Sequence, residues 1–278
     1  MTPGLRSGHG ARRVFALARK DASELLRNPG AIVPAALMVL GSLFPALLVI
    51  VITPRLVGET LEESGSFSEE AANAVAVIPE LAGLTGNALT QAFVFYQFSL
   101  LLLLVPIVGA MSLATHAVIG EKQSRALEPL LATPISTLEL LAAKTLSPFL
   151  FALILSWSAA ALYVIGAMVF GEPGVWQALT GRRFVIMFGL LGPLVEMATL
   201  LVSVMVSSRS NDPRSAQQIA SLLILPVTGL FVAQLMGMVM LGVNAMLLGA
   251  AGFLLVNGVL LWVGVRLFQR ESILTRWK

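Results

Sequence analysis

One carboxylate stands apart from every other charge in the chain. Glu196 is the only charged residue between Phe184 and Ser208. An acid in so apolar a helix can hold a proton, bind a cation, or bond to a hydroxyl or amide on a neighbouring helix. At the centre of a bilayer its charged form costs roughly 2.5 to 3.5 kcal/mol, so such residues face a bundle interior and often mark a pathway. Six further glutamates, Glu59, Glu62, Glu63, Glu69, Glu70 and Glu80, crowd one region, but without the Asp/Asn alternation and Gly of an EF-hand loop they read as a solvated acidic face. Met236, Met238, Met240 and Met246 resemble a thioether ladder for a soft metal; methionine is more often a gap-filler, so packing is expected. The chain has no cysteine, which removes disulfides, thiolate metal sites and Cys nucleophiles. Two histidines, His9 and His116, are too few for a bis-His haem or a His-rich metal centre. No Gly-x-x-x-x-Gly-Lys-Ser/Thr occurs, so no P-loop cradles nucleotide phosphates on this chain. Nor is there a His-Glu-x-x-His motif, and no assembled catalytic or metal site can be named.

The elements that must position Glu196 follow from composition. Of 278 residues, 57% are hydrophobic and 12% charged, whereas a water-soluble domain carries about 25% charge. With a mean hydropathy of +0.87, the chain is an all-α integral membrane protein. The stretches free of charge, or carrying only Glu196, are long enough for spans of about 20 residues. They predict span 1 over 31–53, span 2 over 92–119 and span 4 over 184–207, with an external loop over 54–91; the charge-free run 145–171 predicts span 3, whose helix starts earlier, in the cytoplasm, and covers 137–170. The apolar run 215–265 would be about 77 Å long as one helix, so it divides into span 5 over 215–241 and span 6 over 244–266, broken near Gly242 to Asn244. Prolines at 34, 45, 106, 148, 193 and 226 fall within these spans and imply a bent, packed bundle. Ala245, Gly249 and Gly252 imply close helix contacts in span 6, and Trp176 and Trp277 read as interface anchors.

Six spans put both termini on one side. Of 18 Lys and Arg residues, 15 lie in the N-terminal stretch, the two even-to-odd loops and the C-terminal end; only Arg55, Arg182 and Arg183 lie opposite. That asymmetry places both termini in the cytoplasm of a cell (plasma) membrane protein, with Arg182 and Arg183 at the headgroups. The same distribution explains the net charge of +3 without nucleic acid, since the basic residues mark span ends.

Two amphipathic segments remain on the cytoplasmic side. Over 11–28, Val14, Phe15, Leu17, Leu25 and Leu26 share one helical face, while Arg12, Arg13, Arg19, Lys20 and Arg27 share the other, as in a helix lying in the membrane interface. Over 120–135, Glu121, Lys122, Arg125 and Glu128 face one way and Leu127, Leu130 and Leu131 another, until Pro134 stops the helix. Ser136 and Glu139 then form a capping box that starts span 3 within the cytoplasm. A short helix with an apolar face, braced between two spans, needs a partner to press on.

The run Gly120-Glu-Lys-x-x-x-x-Leu-Glu-x-Leu-Leu-Ala-Thr-Pro-Ile-Ser136, with Glu139 and Lys144, resembles the cytoplasmic signature of export permeases of the type 2 ABC (ATP-binding cassette) superfamily. Asn211-Asp-Pro-Arg-Ser-Ala-Gln-Gln218 before an apolar span with Pro226 is similar to a second stretch common there. The resemblance implies that 11–28 is an elbow helix and 120–135 a coupling segment. Both would contact a separate ATP-binding subunit, which carries the ATP and Mg; this chain needs no cofactor. It places Glu121, Lys122, Arg125, Leu127, Glu128 and Pro134 in the contact, with Arg19 and Lys20 on the elbow. It further implies a homodimer, or pairing with a second permease subunit, around the translocation path. The uninterrupted run 215–265 leaves little room for the re-entrant helices that some relatives carry between spans 5 and 6. The expected function is the permease of an ATP-driven exporter, with Glu196 as a candidate on the path. An ion- or proton-coupled carrier or channel centred on Glu196 is the alternative, against which stand the lone acid and the absence of a visible repeat.

Overall fold

The computed structural model describes residues 29–65, 67–123, 137–209 and 212–267, and within them the chain is helical, with no strand. Six helices are long and apolar enough to cross a membrane: Ile32–Val57, Gly86–His116, Thr145–Phe170, Arg182–Arg209, Gln217–Leu235 and Val243–Arg266, called spans 1 to 6 here. The protein is therefore a multi-pass membrane protein.

Proline writes the local geometry of four spans. A proline lacks an N–H, and its ring crowds the carbonyl four residues back. In span 1 a π turn over Leu48–Ile52 contains Ile50, four residues before Pro54. In span 4 a π turn over Met187–Leu191 contains Gly189, four before Pro193. A 3₁₀ turn over Leu100–Leu103 holds Leu102, four before Pro106, and another over Ser221–Leu223 holds Leu222, four before Pro226. In each case the ladder changes register at the carbonyl that proline would have crowded. Pro148 is accommodated without such a turn, in a helix running unbroken from Thr137 to Phe170. The π turn of span 4 gains an outside donor: the Trp157 indole Nε1–H of span 3 donates to the Phe188 carbonyl at 3.1 Å.

Span 2 is the axle of the bundle. Its most apolar window is 83% buried, against 12% for span 5. Spans 1, 3 and 4 pack around it, and span 6 lies against span 4. The main core joins Phe93, Phe95, Tyr96, Leu100, Leu102 and Ile107 of span 2 to Ala159 and Tyr163 of span 3 and to Met187 and Val195 of span 4. Nearer the other end, Ala110, Leu113 and Ala114 meet Ala152, Leu200 and Val204. There a Cβ on Gly109 would stand 3.5 Å from the Ala152 Cβ, so the backbones of spans 2 and 3 approach closely through small residues.

The three loops over 58–85, 171–181 and 236–242 meet on one face. Asn87 Nδ2 donates to Glu172 Oε1, the Glu172 N–H donates to Gln91 Oε1 at 2.8 Å, and Gly242 packs against Val77. The segment expected as a loop over 54–91 contains helix at Thr53–Val57 and Ser68–Ala74, and span 2 is helical from Gly86. Glu59, Glu62, Glu63, Glu69 and Glu70 are exposed, in keeping with a solvated acidic face. Thr60 donates its N–H (2.8 Å) and its hydroxyl (2.9 Å) to Glu63 Oε2, which holds that carboxyl below its ordinary range.

Span 5 ends at Leu235, short of the expected 241, and span 6 begins at Val243. A Schellman stop accounts for the early end. Gly237 is left-handed at φ 69°, its N–H donates to the Gln234 carbonyl at 3.1 Å, and the Met238 N–H donates to the Ala233 carbonyl at 2.9 Å. Met236 and Met238 fall in this turn and are exposed, contrary to the packing role expected of them; Met246 is buried. Of the small residues expected to seat span 6, Gly249 lies within reach of Leu191, while a Cβ on Gly252 would meet nothing within 4 Å.

Span 5 is tied to the bundle at that same end by two amides. Gln97 Nε2 donates to the Gln234 carbonyl at 3.2 Å, and Gln234 Nε2 donates to Gln97 Oε1, both side chains being buried. Replacing either Gln by Leu strands the other amide, whereas replacing both removes the need for a partner. Gln97→Leu and Gln234→Leu are each expected to lower stability by about 1 to 2 kcal/mol, with a coupling energy of about 1 kcal/mol in a double-mutant cycle read by thermal unfolding in detergent. Additive single effects would mean the two amides do not act as a pair.

Candidate functional site

Glu196 sits one turn beyond the π turn and the Gly192–Pro193 kink of span 4, on the helix Gly192–Arg209. It is 0% exposed, and neither carboxyl oxygen has a hydrogen-bond partner among the described residues. About 20 Å of helix separates it from each end of span 4, given 1.5 Å per residue. The helix around it packs against spans 2, 3 and 6, and its polar residues share one edge. At 100° per residue, Glu196, Thr199, Ser203 and Ser207 fall within about 80° of arc, and all four are buried. The Thr199 hydroxyl donates to the Val195 carbonyl at 2.8 Å; those of Ser203 and Ser207 have no partner among the described residues. On span 6, Asn257 Nδ2 donates to the Leu194 carbonyl of span 4 at 2.8 Å, while its own Oδ1 has no donor among the described residues.

A second buried ionisable residue lies at the acidic-loop end of the same span. The expectation of a headgroup pair divides here: Arg182 is exposed, but Arg183 is 3% exposed, with its guanidinium 4.7 Å from the centre of the Tyr96 ring. Its backbone N–H donates to Glu80 Oε1 at 3.4 Å. The Tyr96 hydroxyl donates to the Ala178 carbonyl at 2.7 Å and that of Tyr163 to the Phe95 carbonyl at 2.8 Å. Burial is possible because the aromatic face takes the cation where a carboxylate would in a soluble core. Nothing in the sequence separates Arg182 from Arg183; helix rotation does.

The residues expected to meet a partner are held differently. The helix of span 2 continues to Gln123, carrying Glu121 and Lys122 in its last turn, just beyond the charge-free run that ends at Gly120. The helix of span 3 begins at Thr137, about 12 Å before Thr145. Two helical stalks thus extend past the apolar stretches and flank residues 124–136. Arg125, Leu127, Glu128 and Pro134 lie outside the described residues, as do Arg19 and Lys20 of the expected elbow. On the same face Asp212 caps the helix Pro213–Ala220, accepting from the N–H and hydroxyl of Ser215 at 3.1 and 3.0 Å, which holds its carboxyl below the ordinary range.

Residues 59–255 match the family model described as "ABC-2 family transporter protein". This chain belongs to that family. No curated protein matches it closely enough to add to that assignment. As an ABC-2 permease, the chain is a membrane component of a transporter and not itself the catalytic subunit. The polar edge of span 4, the Gln97–Gln234 clasp and the buried Arg183 are features of the permease that sequence reasoning missed. Gln97 and Gln234 carried a usable signal, as polar residues within apolar runs; Arg183 carried none.

Proposed function

We propose that this chain is the membrane-spanning permease subunit of an ATP-driven exporter. It forms a translocation path with a second copy of itself or a second permease subunit and couples to a separate ATPase through the segments 120–135 and 11–28. The observation that carries the reading is the pair of helical stalks flanking 124–136, in a chain of the ABC-2 family. Rigid helices pass a displacement at their tips into spans 2 and 3, and span 2 is the one around which spans 1, 3 and 4 pack. Closure of an ATPase against Leu127, Glu128 and their neighbours would therefore reach the whole bundle, with Arg19 and Lys20 on the elbow as a second contact. Fifteen of 18 basic residues support a cytoplasmic location for that face and for both termini, in the plasma membrane. The exposed apolar faces of spans 1, 5 and 6 supply surface for lipid and for the second permease.

Co-expression with an ATP-binding subunit tests the reading. The two chains are expected to co-purify, and Glu128→Ala is expected to weaken the complex at least about tenfold, which is about 1.4 kcal/mol. Failure to co-purify with any ATPase subunit, or transport by the chain alone in proteoliposomes without ATP, would overturn it.

A further inference from the structure

Buried hydroxyls in this bundle normally spend their proton on their own helix. Thr115 donates to the Met111 carbonyl at 2.7 Å, Ser99 to that of Tyr96 at 2.7 Å, and Thr199 to that of Val195 at 2.8 Å. Among the described residues, Ser203, Ser207 and Ser147 of span 3 do not, although all three are buried. Ser203 and Ser207 stand on the edge of span 4 that carries Glu196, whose two oxygens are equally without a partner among the described residues. Asn257 Oδ1, on the neighbouring span 6, has no donor among the described residues either. Three acceptor oxygens without a donor, in the apolar interior of a bundle, call for a species that brings hydrogen or positive charge.

The edge runs in one direction only. From Ser207 the helix ends two residues later at Arg209, beside Asp212 and the helix Pro213–Ala220 on the face that carries the stalks. Towards the acidic-loop face, residues 184–195 read Phe-Val-Ile-Met-Phe-Gly-Leu-Leu-Gly-Pro-Leu-Val, without one polar side chain. Hydroxyls spaced one turn apart can relay a proton through intervening water; an apolar run of that length cannot. The ionisable groups on the elements packed against this helix are His116, Glu121 and Lys122 of span 2 and its extension, Glu139, Lys144 and Tyr163 of the span 3 helix, Arg266 of span 6 and Arg214 of the helix Pro213–Ala220. Among the described residues, neither His116, Tyr163, Arg214 nor Arg266 bonds to Glu196.

We propose that Glu196 is an intramembrane proton-binding site of the permease, loaded and emptied only from the stalk-bearing face along Thr199, Ser203 and Ser207. The step is a simple exchange. The carboxylate takes a proton from hydronium, leaving water, and returns it by the same route when the bundle is rearranged. Neutral Glu196 fits the packed bundle, and its ionised form requires water to enter beside span 4. The site is internal to one protomer and does not depend on the ATPase assignment.

A lipid-soluble carbodiimide couples to a protonated carboxyl in apolar surroundings and leaves solvated carboxylates largely unmodified. The full-length chain is placed in oriented vesicles whose two faces are clamped at separate pH values, and the Glu196 peptide is quantified by mass spectrometry. Glu196 is expected to be modified at neutral pH, with Glu196→Gln as the blank. Raising the pH on the stalk-bearing face alone is expected to lower the yield, by about tenfold per pH unit once the carboxyl is mostly ionised, while the same change on the acidic-loop face leaves it unaltered. Ser203→Val with Ser207→Val is expected to lose the response. Absence of the adduct at every pH, a yield that follows the acidic-loop face, or an unaltered response in the double variant would overturn the proposal. The first two outcomes are read on the native chain and do not depend on whether a variant folds.

Discussion

Tyr96→Ala is expected to destabilise the protein by about 3 to 5 kcal/mol, the range for removing a buried aromatic ring. The ring is 2% exposed in the main core, its hydroxyl holds the Ala178 carbonyl of the short helix Val175–Leu179, and its face receives the Arg183 guanidinium. Truncation leaves a cavity and, in addition, strands a buried cation whose Nε and Nη2 have no other partner among the described residues. The two losses fall at one place, where the loop over 171–181 meets spans 2 and 4. Tyr96→Phe keeps the ring under the cation and gives up one hydrogen bond, so its expected cost is about 1 kcal/mol. Thermal unfolding of the detergent-solubilised chain separates the two variants. A Tyr96→Ala loss no greater than that of Tyr96→Phe would mean that the ring neither fills the core nor supports Arg183.

The second large effect belongs to the opposite end of the core. Gly109→Leu is expected to cost about 3 kcal/mol and to broaden the chain's elution on size exclusion, whereas Gly109→Ala is expected to stay within about 1 kcal/mol of the parent. A Cβ at Gly109 would lie 3.5 Å from the Ala152 Cβ and from Leu155 Cδ2, ordinary contact distances that a methyl group can occupy. A leucine must push its remaining carbons into Ala152, which is fully buried, and so must separate spans 2 and 3. Between helices in lipid, close approach of small residues supplies the attraction, because lipid tails are as apolar as the side chains they touch. Separation there would also part the two stalks that flank 124–136. Parental stability in the Gly109→Leu variant would show that the crossing is looser than the contact distances require.

Much of the architecture was legible residue by residue. Charge is excluded from the interior of a bilayer, so the charge-free runs 31–54 and 145–171, and the run 184–208 with Glu196 alone, marked spans before any contact was known. The end of span 5 was legible in principle, since Gly237 is the left-handed residue of a helix stop, but an apolar run of 51 residues concealed it. Methionines at 236 and 238 looked like packing residues for the same reason: hydropathy cannot tell a turn at the membrane surface from the helix before it. The kinks were legible only in part. Six prolines within spans announced bending, and only the coordinates show a π turn before Pro193, a 3₁₀ turn before Pro106 and neither at Pro148.

Glu196 marks the division between the two kinds of information. The sequence by itself determined that one acid lies midway along span 4, because length and the absence of other charge are properties of a single segment. Only the tertiary structure decided that its oxygens meet no donor among the described residues, that the hydroxyls of Ser203 and Ser207 on its edge are unpaired there, and that Arg183, not Arg182, turns inward onto Tyr96. Hydrogen bonding and burial depend on which residue stands opposite. For spans joined by loops of differing length, that neighbour is chosen by helix rotation and crossing, which no single segment encodes.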